Sequence, residues 1–386
     1  MNTSETMPNM RREGNADARE RVILLYGGRS GEHEVSLKSA ASVVKAIDQT
    51  RYEPLLVGIS KSGKWYYQSS PIFSKDQNSL EIVTDYEVFL PPYPSKSDTE
   101  HELIKVGSDS IKILFHSLFP VMHGTFCEDG TLQGYLELAE VPYVGCGVLG
   151  SSVGMDKAFA KKVAESFGIP VTPYLILTSK DFSNRAAALK RVADFGFPCF
   201  VKPSNSGSSV GVHKVKSPGE LENALVDAFR YDSVILIEKA IRAREIELSV
   251  LETEDSEPWV SIPGELKVLH EFYSYEAKYL DSNGAVPLLP APITDAEVIM
   301  ATDIARKTFM ALRCEGMARV DLFLDEDTGK FILNEINSLP GFTSISMFPK
   351  MCEASNLSYR DLITRLIELA HHRHQKKANL LRDFQV

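Results

Sequence analysis

The run Arg21-Val-Ile-Leu-Leu-Tyr26, closed by Gly27-Gly28 and followed from Glu34 to Ile47 by apolar residues at helical spacing, reads as strand, turn, helix. Further apolar runs at Pro54 to Ile59, at Ile111 to Phe115 or Leu118 to Met122, and at Val141 to Val144, with a helix near Leu132 to Ala139, continue the alternation. Strands alternating with amphipathic helices bury themselves between those helices, so residues 21–151 are expected to form a parallel α/β unit. Residues 61–112 break the rhythm with aromatics, prolines and polar side chains and read as an insertion without assignable chemistry. Residues 1–20 are polar and charged, as a flexible tail is.

Beyond that unit, helical spacing runs from Met155 to Phe167 and near Arg185 to Asp194, with strands at Val171 to Leu177, ending at Val201-Lys202, after Gly207, and at Val234 to Glu238. Ser217-Pro-Gly-Glu220 and Thr294-Asp-Ala-Glu297 carry the acid expected of a capping box and open helices to about Phe229 and Cys314. Met317 to Leu324 and Lys330 to Ile336 read as paired strands, and Leu362 to Ala370 as a closing helix. A chain of 386 residues is too long for one ordinary domain and predicts two or three.

Charge and cysteine usage narrow the function classes. Lys and Arg total 42 against 52 Asp and Glu, a formal net charge of -10, which argues against a protein that holds nucleic acid or an anionic membrane by counterion release. No apolar run approaches the roughly 18 residues of a membrane span and the start lacks an apolar leader, so a cytoplasmic protein is expected. The 5 cysteines are scattered, with no C-x-x-C pair, and read as reduced thiols, mostly in the core.

Four windows carry chemistry. In Val201-Lys202-Pro-Ser-Asn-Ser-Gly207-Ser208-Ser209-Val210-Gly211 a lysine at a strand end precedes small hydroxylated residues, whose backbone amides, hydroxyls and single charge suit phosphate as well as an ordinary turn. No G-x-x-x-x-G-K-[ST] occurs. In Met317 to Phe323, period-two alternation puts Arg319 and Asp321 on one face, and the same rule joins Glu335 to Asn337; these oxygens suit Mg2+, or else a salt-bridge network. The loop Ser338-Leu-Pro-Gly341-Phe-Thr-Ser-Ile-Ser346 follows directly, with amides and hydroxyls fit for a carboxylate. Glu32, at the start of the first helix, is either an amine ligand or a favourable N-terminal charge. Gly145-Cys-Gly147-Val-Leu-Gly150 matches G-x-G-x-x-G, the mark of an NAD enzyme, but no strand ending in Asp or Glu follows about 20 residues on.

Taken in order, GGRSGEHEVS, HGTFCEDGTLQG, GVLGSSVGMDK, VKPSNSGSSVG, LIEK, FYSYEAKY, RVDLFL and NEINSLPGFTS resemble the D-alanine–D-alanine ligases, a branch of the ATP-grasp family, over about Arg21 to Ala370. The resemblance implies a three-domain α/β architecture with an α+β lid: a tail at 1–20, an N-terminal parallel-sheet domain at 21–151, a central lid at 152–248 and a C-terminal catalytic domain at 249–386. It implies ATP, two Mg2+ or Mn2+ ions with a monovalent cation left open, two D-alanine molecules as partners, a homodimer, and a role in peptidoglycan precursor synthesis. The reaction it implies activates one carboxylate as an acyl phosphate, which the amine of a second D-alanine then attacks. Phosphorylation is needed because a carboxylate otherwise has only oxide to expel.

By motif, Lys157, Lys202 and Lys278 fall at the phosphate-binding lysines, Glu238 and Lys239 at the adenine hinge, Glu245 at the ribose contact, and Ser209 in the nucleotide loop. Asp321, Glu335 and Asn337 match the metal ligands and Arg319 the residue that stabilises the transferred phosphoryl group. Glu32 matches the binder of the first ammonium, Ser208 and Tyr279 its hydrogen-bonded partners, and His123 a substrate-orienting histidine. Gly341 matches an oxyanion-stabilising amide and Ser346 a contact to the second carboxylate. The loop from Tyr273 to Tyr279 is expected to close over the reactants and exclude water.

Two residues depart from the family pattern. Cys127 stands where Gly is usual, which suggests sensitivity to oxidation, and Met347 stands where Leu is usual, which leaves the second substrate open among D-alanine, D-lactate and D-serine. A non-catalytic nucleotide-binding regulator on the same fold is the rival reading.

Overall fold

The computed structural model describes residues 19–97, 99–254, 257–268 and 285–381. Of the expected tail only Arg19 and Glu20 are described, and Glu20 already begins a strand. The loop from Tyr273 to Tyr279 lies outside the described residues.

The apolar run Val22 to Leu25 is fully buried because its strand, Glu20–Gly27, is central. It pairs in parallel with Tyr52–Ile59 on one side and Ser117–Pro120 on the other. The helix His33–Ala46 makes the crossover and buries Ala40, Ala41, Val43 and Val44. Outward from Tyr52–Ile59 the sheet turns antiparallel, adding Trp65–Gln68, Glu87–Phe89, His101–Lys105 and Ser108–Phe115 to reach seven strands. The N-terminal unit is thus mixed rather than wholly parallel. Residues 61–112 are the cause, since among the described residues there no helix forms to make a parallel crossover. Val141 to Val144 contributes a single bridge, Leu118 to Tyr143, in place of the expected strand.

A second sheet of four antiparallel strands runs in the order His213–Val215, Cys199–Pro203, Val234–Lys239, Tyr174–Thr178. The helices Arg185–Phe195 and Pro218–Ala228 cover it with Ala188, Val192, Leu221 and Leu225. The capping box expected at Ser217 does not form: Glu220 accepts instead from the Lys216 amide at 2.8 Å. That at Thr294 forms in full and starts the helix Asp295–Ala311.

The third sheet has six strands, with Ala243–Leu251 between Gly264–Val268 and Met317–Asp325, and Phe331–Asn337 at one edge. Helix Asp295–Ala311 packs Ala301, Ala305 and Phe309 against Ile246, Leu248, Val320 and Leu322, which leaves the alternate residues for the opposite face. The helices Met347–Ala354 and Tyr359–Ala378 turn back: Phe348, Cys352, Leu362 and Leu366 enter the core of the first sheet, and Arg373 donates to the Tyr143 carbonyl at 2.6 Å. Among the described residues no helix is long and apolar enough to cross a membrane.

Candidate functional site

Alternation on Cys199–Pro203 buries Cys199 and Val201 under the helices and turns Phe200 and Lys202 the other way. On the neighbouring strand Leu236 is paired with Lys202, and Glu238 lies two residues on. The Lys202 ammonium donates to Glu238 Oε2, while Lys161 Nζ reaches Glu238 Oε1 at 2.6 Å and the Leu333 carbonyl at 3.3 Å. Lys161, from the helix Lys157–Ser166, is 2% exposed. Burial alone pulls the Glu238 carboxyl up, but Lys202 and Lys161 outweigh it and hold the group down at about 2. Burial likewise presses the Lys202 ammonium down, and the facing Glu238 more than restores it, so the pair is fully ionised. One helical turn before Lys161, Lys157 Nζ donates to the Ser206 carbonyl at 2.7 Å and stands 3.5 Å from Glu335 Oε2.

The polar face of the six-stranded sheet presents Glu245, Glu247, Arg319, Asp321, Glu335 and Asn337. Register sets Arg319 opposite Asn337, and Asp321 opposite both Glu335 and Glu247. A bulge lies between them, because Leu322 pairs with Leu333 while Asp321 pairs with Glu335. Phe331, Leu333 and Ile336 are all buried, so the extra residue Asn334 reverses the phase and carries Glu335 and Asn337 away from the core. Arg319 grips Asp321 with two bonds, Nε to Oδ1 at 2.7 Å and Nη2 to Oδ2 at 2.6 Å, and its Nε lies 3.5 Å from Glu247 Oε2. Asn337 Nδ2 donates to Asp321 Oδ2 at 2.9 Å. Burial opposes the Arg319 charge, but Asp321 and Glu247 raise its pKa well above the usual value.

At the other end the loop 206–212 meets the first helix. Ser208 Oγ donates to Glu32 Oε1 at 2.5 Å. Ser208 and Ser209 both hold left-handed backbone, φ 51° and 58°, a strained conformation for two consecutive side-chain-bearing residues and of the kind found at ligand sites. A Cβ on Gly124 would come within 2.6 Å of Glu32 Oε2, so only glycine lets that carboxylate settle there. His123 is buried, its Nε2 3.0 Å from Ser39 Oγ and its Nδ1 3.2 Å from the Leu339 carbonyl; burial lowers its pKa and keeps the ring neutral. Glu128 accepts from the Gly124 amide at 3.0 Å, yet burial and the nearby Glu32 push its carboxyl up to about 8. Ser346, which precedes the helix Met347–Ala354, accepts from the Thr343 amide at 3.1 Å and lies beside Gly341, while Met347 packs against Gly264.

One cleft of about 1250 Å3 is lined by Glu32, His123, Lys157, Lys202, Ser208, Ser209, Glu238, Lys239, Glu245, Arg319, Asp321, Glu335, Asn337, Gly341, Ser346 and Met347. All the described residues assigned from sequence to ATP, metal or substrate therefore meet in one place. Lys278 and Tyr279 lie outside the described residues. Sequence reasoning missed Glu128 and Glu247, which also line the cleft, and Lys161 beneath it. Glu128 stands inside a window already quoted, and Lys161 lies one helical turn from Lys157, a spacing that puts both on one face.

The glycine motif disfavoured as an NAD site is occupied by packing, and the expectation for Cys127 is corrected. A Cβ on Gly147 would meet Glu315 Oε2 at 2.2 Å, and one on Gly150 the Arg313 carbonyl at 2.7 Å. Those glycines serve close packing of the chain on itself, which leaves no space there for the pyrophosphate of a dinucleotide. Cys127 is fully buried and burial raises its thiol pKa, so it lacks the exposed thiolate that oxidation needs. All five cysteines are buried and free, as expected of core thiols.

Chemically the cleft offers ammonium groups at one end, oxygen donors about a guanidinium in the middle, and a carboxylate, a neutral imidazole and a hydroxyl-rich turn at the other. Such a set suits a polyphosphate, a divalent cation and a zwitterion together.

Comparison with known proteins gives the same picture. The family model described as D-ala D-ala ligase N-terminus matches residues 21–146, and that described as D-ala D-ala ligase C-terminus matches 163–368. The chain is similar to D-alanine--D-alanine ligase A of Bradyrhizobium diazoefficiens, 51% identical over 94% of this chain and 98% of that protein. It is 44% identical to the D-alanine--D-alanine ligase of Caldicellulosiruptor bescii, over 93% of this chain and 97% of that one. Among solved structures, the D-alanine-D-alanine ligase from Coxiella burnetii matches with TM-score 0.78 and 32% identity over 94% of this chain and 97% of that one. The VanG D-Ala:D-Ser ligase from Enterococcus faecalis matches with TM-score 0.78 and 31% identity over 92% of this chain and 100% of that one.

Proposed function

The chain belongs to the D-alanine–D-alanine ligase family, and from that premise we propose how its residues convert ATP and two D-alanines into D-alanyl-D-alanine, ADP and phosphate. Family membership brings ATP, Mg2+, D-alanine and a place in cell-wall precursor synthesis. The observation that carries the assignment of residues is the single cleft, with Lys202 and Lys157 at one end and the Ser208–Glu32 pair at the other.

The adenine occupies the hinge at Glu238 and Lys239 and the ribose contacts Glu245. Lys157, Lys202 and the Ser209 hydroxyl hold the phosphates. Glu32, fixed by Ser208, takes the ammonium of the first D-alanine, and buried His123 orients that substrate without adding charge. Its carboxylate oxygen attacks the γ-phosphorus in line; the P–O bond to ADP breaks, and Arg319 faces the charge that spreads over the phosphoryl oxygens. The amine of the second D-alanine, positioned through Ser346 and Met347, then attacks the acyl carbon. The Gly341 amide steadies the tetrahedral oxyanion, and phosphate leaves with the former carboxylate oxygen. Lys278 and Tyr279 keep a phosphate contact and a place beside Ser208 and Glu32 on their motif alone.

Asp321, Glu335 and Asn337 fit a hard cation, since all three supply oxygen from paired strands. Among the described residues no three His, Cys, Asp or Glu form a metal group by themselves, so the set needs Asn337 and substrate oxygens. When bound, Mg2+ polarises phosphate oxygens and neutralises their charge. Two ions, Mg2+ or Mn2+, a monovalent cation beyond them, a homodimer and a cytoplasmic location are the finer parts of the proposal. So is a division into three units, expected at 21–151, 152–248 and 249–386, with the second border moved from 248 to ahead of Ala243 because the strand Ala243–Leu251 lies wholly in the six-stranded sheet.

The test is phosphate release with ATP and Mg2+ over a panel of D-amino acids and D-lactate, with the product identified. D-alanyl-D-alanine should dominate. Turnover only with D-serine or D-lactate as acceptor would overturn the second-substrate assignment, and ATP binding without turnover would favour a regulator.

A further inference from the structure

Lys161 has no counterpart in the chemistry so far. It does not line the cleft, yet its side chain is 2% exposed and its ammonium is set against Glu238, the same carboxylate that holds Lys202. One buried lysine and one lysine of the cleft wall therefore share a buried carboxylate, each facing one oxygen. The arrangement has a consequence for nucleotide binding. Lys202 must turn from Glu238 to reach a phosphate, and a buried carboxylate abandoned by its only partner is costly. Lys161 removes that cost by staying, because its helix and the Leu333 carbonyl hold it where phosphate does not reach.

We propose that Lys161 is a positioning residue for ATP binding: it remains on Glu238 as counter-ion and so releases Lys202 to the nucleotide phosphates. This rests on the assignment of Lys202 to phosphate. A lysine that only filled space would affect folding, and one that only held the adenine hinge would affect adenosine as much as ATP.

The test is a double-mutant cycle on ATP affinity, read by calorimetry with ATP and with adenosine. Lys202→Met alone should weaken ATP by roughly tenfold to a hundredfold, the size of a charge-assisted bond. Lys161→Met should weaken ATP to a similar degree and adenosine by less than about twofold, and adding Lys202→Met to it should cost little more. Additive losses, or no loss of ATP affinity with Lys161→Met, would overturn the proposal. If Lys202→Met itself left ATP binding intact, the phosphate assignment of Lys202 would fall instead. Should Lys161→Met not fold, the comparison moves to the Glu238→Gln background, where no carboxylate needs a counter-ion. There Lys161→Met should be almost silent for ATP while Lys202→Met keeps its full effect, and a large effect of Lys161→Met in that background would reject the proposal.

Discussion

Glu238 is a buried and Glu128 a largely buried carboxyl group of one cleft, and their pKa values are shifted in opposite directions, down to about 2 and up to about 8. Burial acts alike on both. What differs is the neighbour: two lysines face Glu238, whereas the nearby Glu32 acts on Glu128 with like charge. The end proposed for the nucleotide thus keeps the Glu238 carboxylate and the Lys202 ammonium charged and paired, while burial presses the Lys161 ammonium down. At the other end, proposed for the first D-alanine, the Glu128 carboxyl is held towards its protonated form. Charge is managed by pairing at one end and by protonation at the other.

Substitutions should separate the two ends in a graded way. The largest effect belongs to Arg319 between them: Arg319→Met should lower kcat by about a hundredfold to a thousandfold, as loss of transition-state charge stabilisation does, with smaller changes in KM for either substrate. Steady-state kinetics at saturating ATP checks it, and an effect confined to KM would assign Arg319 to one end. Next, Lys202→Ala should raise KM for ATP by roughly tenfold to a hundredfold while leaving KM for D-alanine nearly unchanged. A matching loss for D-alanine would erase the distinction.

Glu128→Gln tests the other end. The folded pKa of Glu128 lies above its ordinary 4.5, so the protonated group contributes stability that is complete below pH 4.5 and lost as pH rises through about 8. Glutamine accepts the same Gly124 amide without that loss. The variant should match the parent chain in stability near pH 4.5 and exceed it by on the order of 1–3 kcal/mol at pH 9, seen in thermal unfolding at both values. Equal stability at both would mean that the Glu128 carboxyl is not held protonated by the fold. Met347→Leu should be smallest, shifting KM for the second D-alanine by less than about threefold, because the exchange nearly conserves volume. A change of preferred acceptor would make Met347 a selector.

The two ends were unequally legible in the sequence. Lys202 stands at a strand end before a run of small hydroxylated residues, a local pattern that marks a candidate phosphate loop or an ordinary turn without tertiary knowledge. The Thr294 capping box is legible for the same reason, since its donors and acceptors lie within four residues. Glu335 and Asn337 are legible as a pair two residues apart, but not their phase: counting from buried Leu333 would turn them into the core, and only the bulge at Asn334 corrects it. No residue type announces such a bulge. Glu128 and Lys161 stayed silent because their roles come from neighbours distant in the chain, Glu32 and Glu238, and a charged side chain in a helix or loop is ordinarily solvated. The antiparallel half of the first sheet was missed because the aromatics, prolines and polar residues of 61–112 show no regular alternation to mark its strands.

The central claim is that the carboxylate of one D-alanine is joined to phosphorus between these two ends before any peptide bond forms. D-alanine labelled with 18O in its carboxylate tests this directly, with mass analysis of the released inorganic phosphate. Attack by that oxygen and its later departure with the phosphoryl group predict one 18O atom in each phosphate. Unlabelled phosphate accompanied by dipeptide would contradict the account.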